Sequence, residues 1–304
     1  MVSEGIIDSH LHVWSAAFPF APGKEPPESL SGEESSAEKL LEMMDANGIQ
    51  ASLIVQPSNY MFDHKYILSV AERYPDRFKC MMLLDPTQTP DAACDTVRHL
   101  VTEKGCVGIR FNPGLWPEGK GMDDETGRAV SRLAGELGIP IGIMAFTGLK
   151  PLLPSIRSLL SLSNEKEGTT VPRIIIDHMG FPRASPGEVP SGQAWDEEAW
   201  EGLLQLGRDH PQVYVKLSAL FRVSSTPLPS DYPDLPPRFD ELLGVYSAER
   251  LLYGSDFPWT ENASHEAYVA GIHAVRTWAG RQEGIEAILG GTARNLFGFE
   301  ESTH

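Results

Sequence analysis

Eight apolar, β-branched runs recur along the chain, and a segment with helical periodicity and its own start and stop signals separates each run from the next. The runs occupy residues 5–10, 51–56, 79–84, 107–112, 140–146, 173–178, 213–218 and 251–256. Hydrophobicity is nearly continuous within them, as expected of strands covered on both faces in a parallel sheet. No Gly-, Ser- or Pro-rich linker divides the units, and eight βα units are the number that closes a barrel. The chain has 304 residues, and single α/β barrels run to about 250 residues or more. The expected fold is therefore one (β/α)8 TIM barrel over residues 1–304. An open doubly wound sheet would need a switch point and usually a Gly-rich phosphate turn after the first run, where this chain reads Ser9-His10-Leu11-His12.

Helix punctuation agrees with this division. Ser35 with Glu38 has the form of a capping box, Leu40, Leu41, Met43 and Met44 supply an apolar face, and Gly48 follows. Asp63 precedes a helical pattern over 66–74 that Pro75 ends; the patterns over 91–104 and 125–137 stop at Gly105 and Gly138. The connections after the first, fourth, sixth and seventh runs are long: 15–34, 113–123, 180–194 and 223–237. In a barrel they surround the mouth where chemistry occurs, so they are expected to wall the active site.

A hydrophobic fraction of 41% describes a globular chain with a substantial core. A net charge of -17 excludes the basic stripe that a nucleic-acid partner requires, while leaving room for a local basic pocket that takes an anionic small molecule. No segment approaches the roughly 18 continuous apolar residues that span a bilayer, and no basic stretch leads into an apolar run at the N-terminus. Cys80, Cys94 and Cys106 are an odd count at spacings that match neither a zinc site nor a disulfide framework. Buried reduced thiols in a cytoplasmic protein are expected, although a transit peptide already removed would leave no trace.

Chemistry-bearing residues stand at the ends of the apolar runs. His10 and His12 are two apart at the end of the first, so both imidazoles face one side and converge on one metal ion or one substrate oxygen. The sixth run, Ile174-Ile175-Ile176, ends in Asp177 and His178; His178 is the better site residue, with Asp177 orienting a neighbour. The eighth ends in Asp256, and a closed barrel brings the eighth strand beside the first. His10, His12, His178 and Asp256 thus form either a mononuclear zinc site or a metal-free hydrogen-bonding centre. Arg110 ends the fourth run and Arg222 follows the seventh; their guanidinium forks suit a substrate carboxylate, with Gln56 as a further polar contact. Salt bridges to the surplus acids are the plain alternative for both arginines. His64, His99, His210, His265 and His273 fall in or at the ends of helical patterns, where solvated or capping roles are expected.

At these residues the chain resembles the amidohydrolase superfamily, in the amidohydrolase-related branch that holds pyrone-dicarboxylate lactonases and fuconolactonase-like sugar lactonases. The resemblance runs nearly end to end. It rests on Asp8-Ser9-His10-Leu11-His12-Val13-Trp14, Phe18-Pro19-Phe20, Val55-Gln56, Gly108-Ile109-Arg110-Phe111-Asn112, Asp177-His178-Met179-Gly180, Gly254-Ser255-Asp256-Phe257-Pro258-Trp259 and Ala293-Arg294-Asn295-Leu296-Phe297-Gly298. It implies a distorted barrel with His10, His12, His178 and Asp256 around the scissile bond, and Arg110 and Arg222 as carboxylate holders. A further arginine that the dicarboxylate lactonases carry soon after Arg110 has only Lys120 in its place. Binuclear members need a bridging lysine or glutamate on strand four, where this chain has Arg110 and Asn112, so a binuclear site is not implied. Members differ in whether they need a divalent ion; one ion, zinc by its ligand types, is permitted here and not demanded.

The resulting expectation is a hydrolase of a small carboxylated lactone or related cyclic ester. Asp256 activates water, and His10, His12 and His178, with or without one ion, polarise the carbonyl. The alternatives are a metal-dependent decarboxylase of an aromatic or muconate-type acid, and a barrel that binds a metabolite or a protein without turning anything over.

Overall fold

A computed structural model describes residues 5–164, 170, 172–182, 195–226, 231–260, 265–279 and 284–300. Strands and helices alternate through them: β1 (Ile6–Leu11), α1 (Ala37–Ala46), β2 (Ile49–Val55), α2 (Lys65–Arg73), β3 (Phe78–Leu83), α3 (Pro90–Thr102), β4 (Gly108–Phe111), α4 (Glu125–Leu137), β5 (Ile141–Ile143), α5 (Leu153–Leu160), β6 (Ile174–Ile176), α6 (Glu197–Asp209), β7 (Val213–Leu217), α7 (Leu220–Val223), α8 (Pro236–Tyr246), β8 (Leu251–Tyr253), α9 (His265–Ala279) and α10 (Thr292–Phe297). The strands pair in sequence order, every pair parallel. Bonds at the strand ends return β8 to β1. The Asp256 amide donates to the His10 carbonyl (2.8 Å), the His12 amide to the Phe257 carbonyl (2.7 Å) and the Ser9 hydroxyl to the Tyr253 carbonyl (2.5 Å). The (β/α)8 barrel is present, and its closing seam lies where His10, His12 and Asp256 sit.

All eight apolar runs become strands, and several strands are shorter than the runs. The sixth run leaves the ladder after Ile176, because Asp177 opens a 3-10 turn in which His178 and Met179 both take left-handed backbone (φ 53°). The eighth leaves after Tyr253, and Asp256 is left-handed at φ 64°. Such backbone is uncommon for residues with a side chain and is kept where the surroundings impose it, often at functional sites. In these two runs the polar tail is thus the part that departs from the ladder at the barrel mouth, whereas His10 and Arg110 remain inside β1 and β4.

The core has two layers. Ile7, Leu53, Val55, Met81, Ile175 and Leu252 fill the barrel axis, and a larger apolar cluster packs the strands against the helices. Helix signals mostly hold. The Asp124 side chain caps α4 at the Gly127 amide and Gly138 ends it in left-handed backbone. At α1 the expected capping box is corrected by one residue. Ser36, not Ser35, accepts from the Lys39 amide (3.1 Å), because Ser35 is buried with its hydroxyl donating to the Leu30 carbonyl (3.0 Å). Among the described residues no helix is long and apolar enough to cross a membrane. Cys80 and Cys106 are buried free thiols and Cys94 is a half-buried one.

Of the long connections, 15–34 is fastened to the rest by the Trp14 indole donating to the Leu30 carbonyl (2.6 Å) and by the Tyr60 hydroxyl donating to the Ser15 carbonyl (2.8 Å). Most of 180–194 and part of 223–237 lie outside the described residues.

His64 departs from the expected solvated role; His99, His265 and His273 are exposed. His64 is buried, its Nε2 accepts from the Leu83 amide (3.0 Å), and burial pushes its pKa down to about 4, partly offset by Asp63. An unfolded histidine, at about 6.5, binds a proton that the folded one refuses down to about pH 4. The stability this neutral ring supplies is therefore complete above the unfolded value and declines as pH falls, by at most about 1.4 kcal/mol per pH unit. In denaturant titrations the stability gap between wild type and His64→Gln should narrow from pH 7 towards pH 4; a gap that stays flat would show that another group carries the dependence.

Candidate active site

The ends of β1, β6 and β8 bring together the four side chains expected from the sequence, all buried. Asp256 Oδ1 lies 3.6 Å from His12 Nε2 and 3.9 Å from His10 Nε2. The His10 ring meets His12 edge-on at 5.3 Å between centroids and His178 at 4.5 Å. Outer partners orient each ring: the His12 Nδ1–H donates to the Val55 carbonyl (2.8 Å), and His178 Nδ1 shares a 2.8 Å hydrogen bond with the Ser218 hydroxyl. Two groups can each hold a metal ion by position: His10, His12 and Asp256, and His10, Asp177 and His178, with ligand atoms within 4.8 Å of one another in each. His178 therefore stands with His10 and Asp177 rather than completing a single four-ligand cluster.

Asp177, read from the sequence as a mere orienting residue, is the hub of a buried charge cluster. Its Oδ2 receives Arg110 Nε at 3.3 Å, while its Oδ1 lies 3.3 Å from His10 Nδ1 and 3.5 Å from Lys216 Nζ. Lys216, in β7, is fully buried and approaches His10 Nδ1 at 3.1 Å. Sequence reasoning passed over Lys216, although a signal exists. In Val213-Tyr214-Val215-Lys216-Leu217-Ser218 alternation puts Tyr214, Lys216 and Ser218 on one face, the barrel interior, where Tyr214 packs with the axial cluster.

Burial dominates the electrostatics. It pushes the His12 pKa down to about 3, with Arg110 adding to the effect, and drives His10 and His178 well below the usual histidine value. All three imidazoles are neutral at physiological pH. Burial pushes the Asp256 carboxyl up to about 7 against the pull of Arg222 and Arg110. Burial also raises Asp177, but Lys216 and Arg110 outweigh it and hold that carboxyl below its usual value. The mouth thus holds one carboxylate kept below its usual pKa by two cations and one whose proton is exchangeable near neutrality, a pattern that assigns distinct roles to two acids.

The other expected residues divide. Arg110 is buried with only its Nε bonded, to Asp177, so among the described residues its terminal nitrogens keep their hydrogens for another partner. Arg222 is half-buried, its Nε 3.8 Å from Asp256 Oδ2 and its guanidinium over the Phe221 and Trp259 rings. Gln56 spends both amide hydrogens on the Met61 and Asp63 carbonyls (2.9 Å each), leaving only its Oε1 without a partner. Lys120 pairs with Asp124 on the surface (3.7 Å).

Gly254 sets how closely β8 approaches this centre. A Cβ there would lie 2.7 Å from His10 Cβ and 3.0 Å from both His10 N and Ser218 Cβ, closer than packed carbon atoms come. Gly254→Ala should cost about 1–3 kcal/mol through overpacking and, by shifting His10 from Asp256, lower turnover about 10²-fold. Melting and kinetics together check this; a variant with near wild-type values in both would show that β8 yields freely.

Comparison with known proteins gives the family and the fold. A family model described as amidohydrolase matches residues 7–299. The chain is 27% identical over 266 residues to an L-fucono-1,5-lactonase from Burkholderia ambifaria, covering 85% of this chain and 82% of that protein. It is 26% identical over 259 residues to a 4-sulfomuconolactone hydrolase from Hydrogenophaga intermedia, covering 84% and 75%. Among solved structures, a probable 2-pyrone-4,6-dicarboxylic acid hydrolase from Acinetobacter baumannii with citric acid bound superposes with a TM-score of 0.74 at 21% identity, over 97% of this chain and all of that one. The fold is also shared with a zinc-bound amidohydrolase from Burkholderia multivorans (TM-score 0.70, 20% identity, 97% and 99% covered) and a manganese-bound dihydroxybenzoic acid decarboxylase from Polaromonas (0.66, 16%, 97% of each).

Proposed function

Because this chain belongs to the amidohydrolase family, we propose that it is a hydrolase of a small carboxylated lactone or related cyclic ester, with residues 1–304 acting as one barrel. The observation that carries the reading is the approach of Asp256 Oδ1 to His12 and His10 at 3.6 and 3.9 Å among buried side chains at the barrel mouth. Asp256 takes a proton from water, whose oxygen adds to the lactone carbonyl. His10, His12 and His178 surround that carbonyl and polarise it. The ring carbon–oxygen bond then breaks, and the proton held by Asp256 passes to the departing ring oxygen. Arg110, through its terminal nitrogens, and Arg222 orient the substrate carboxylate; Gln56 contributes at most its Oε1. The two lactone-hydrolysing relatives support this substrate class.

One divalent ion is compatible with the site and not required by these steps. His10, His12 and Asp256 would hold it, with His178 beside them, and this mixture of imidazole and carboxylate ligands suits zinc. His12 is prepared for such a role, since its Nδ1–H is spent on Val55 and its Nε2 lone pair faces the site. Bound there, the ion would act as a Lewis acid on the carbonyl. Free thiols at Cys80, Cys94 and Cys106 suit the reducing cytoplasm, where this reading places the protein.

The test is turnover of a panel of small carboxylated lactones in ¹⁸O-water. The expected result is one solvent oxygen in the new carboxylate of the product. Release of carbon dioxide from an aromatic or muconate-type acid, with no solvent oxygen gained, would establish a decarboxylase instead. Binding without turnover would mark a barrel that only holds its ligand.

A further inference from the structure

The histidines of the His10-Leu11-His12 pair are chemically equivalent in the sequence but have unlike partners behind them. His12 Nδ1 faces a backbone carbonyl, that of Val55 at 2.8 Å, and a carbonyl oxygen only accepts. His12 therefore carries its proton on Nδ1 and presents an Nε2 lone pair. His10 Nδ1 faces the Lys216 Nζ at 3.1 Å; burial lowers the lysine's pKa while the Asp177 carboxylate raises it, and as the ammonium that this carboxylate favours Lys216 only donates. Asp177 supplies the countercharge to that ammonium at 3.5 Å. Asp177 Oδ1 also lies 3.3 Å from His10 Nδ1, but outside hydrogen-bonding geometry, so it does not compete for a ring proton.

We infer that Lys216 is a positioning residue for catalysis: by donating to Nδ1 it fixes His10 in the tautomer with the proton on Nε2, so that the two paired histidines hold opposite tautomers and divide the reaction between them. His10 Nε2 is buried and has no hydrogen-bond partner among the described residues, so its N–H is free to meet the carbonyl oxygen as negative charge develops on it. His12 Nε2, an acceptor 3.6 Å from Asp256 Oδ1, stands with that carboxylate as a pair of acceptors for the two hydrogens of the attacking water. The inference deepens the hydrolase reading and sharpens it at His12, which becomes a water-holding rather than a carbonyl-polarising group; it describes the metal-free centre, since an ion held by His10, His12 and Asp256 would take the His10 Nε2 position for itself.

The location of Lys216 fits this task better than a purely structural one. A lysine in the middle of a strand, fully buried, is costly to desolvate, and an apolar residue would fill the barrel axis at less expense. Lys216 makes a 3.1 Å contact with a site imidazole from a position that substrate does not need to touch, as outer residues do when they fix the tautomer of a working histidine.

Long-range ¹H–¹⁵N correlation spectra of ¹⁵N-histidine-labelled protein, free of added metal and assigned with His10→Asn and His12→Asn, read the tautomers directly and need no substrate. In wild type the His10 proton is expected on Nε2 and the His12 proton on Nδ1; a His10 proton on Nδ1 would overturn the inference. In Lys216→Met the His10 signals should move to the other tautomer or a mixture. Its kcat on the lactone found in the screen should then fall about 10²-fold, as on loss of an oxyanion donor, with KM within about threefold. An unchanged His10 tautomer in that variant also overturns the inference. The hydrolase reading is judged separately, by solvent-oxygen incorporation in wild type.

Discussion

Asp256→Asn is expected to lower kcat on a carboxylated lactone by about 10³-fold, within the range lost when a positioned general base is removed, while leaving KM within about threefold. Asparagine keeps the shape of the side chain, so the left-handed turn at φ 64° and the amide bond to the His10 carbonyl (2.8 Å) persist. What disappears is the anionic oxygen that faces His12 and His10. Because burial sets the Asp256 carboxyl at about 7, it can both take and return a proton near neutrality, which asparagine cannot do. A split between kcat and KM is the signature of a group used in the transition state rather than in binding. Steady-state kinetics with a melting curve as control checks it. Turnover near wild type removes Asp256 from the base role. A large rise in KM would instead show that the substitution displaced Arg222, whose Nε lies 3.8 Å from Asp256 Oδ2.

The parts of this molecule legible in the sequence are those fixed by local patterns. Strands buried on both faces write themselves as unbroken apolar runs, and the helix at 125–137 is bounded by an acidic cap and a glycine that each act within a few residues. The four residues His10, His12, His178 and Asp256 were legible because each interrupts an apolar run at its C-terminal end. What escaped reading depends on distant partners. Lys216 reaches across 206 residues to His10, and Arg110 across 67 to Asp177, so alternation in β7 can mark Lys216 as inward-facing but cannot name the partners it meets there. Capping at α1 moved to Ser36 for a similar reason, since the Ser35 hydroxyl found a carbonyl in the preceding loop. Arg110 takes the plain reading with one nitrogen, on Asp177, and its terminal nitrogens have no partner among the described residues.

The cluster around Asp177 carries the second large effect. Asp177→Asn leaves Lys216 and Arg110, both buried, without the carboxylate they share at 3.5 and 3.3 Å. Breaking a buried pair by removing one partner costs about 3–5 kcal/mol, because the surviving charge stays desolvated. For a domain of this size that is a fall in melting temperature of roughly 5–10 °C. Lys216→Met in the Asp177→Asn background removes one stranded charge and fills its place with an apolar side chain of similar length, so the double variant should be more stable than Asp177→Asn alone. Turnover should not return with stability, since the double variant no longer has the lysine that donates to His10 Nδ1. Melting curves and kinetics of the single variants and the double therefore separate two uses of one cluster. If activity recovers in step with melting temperature, the charges serve only to hold the barrel together. If stability recovers alone, their arrangement around His10 is what the reaction needs, and the cost of burying them is accounted for by catalysis.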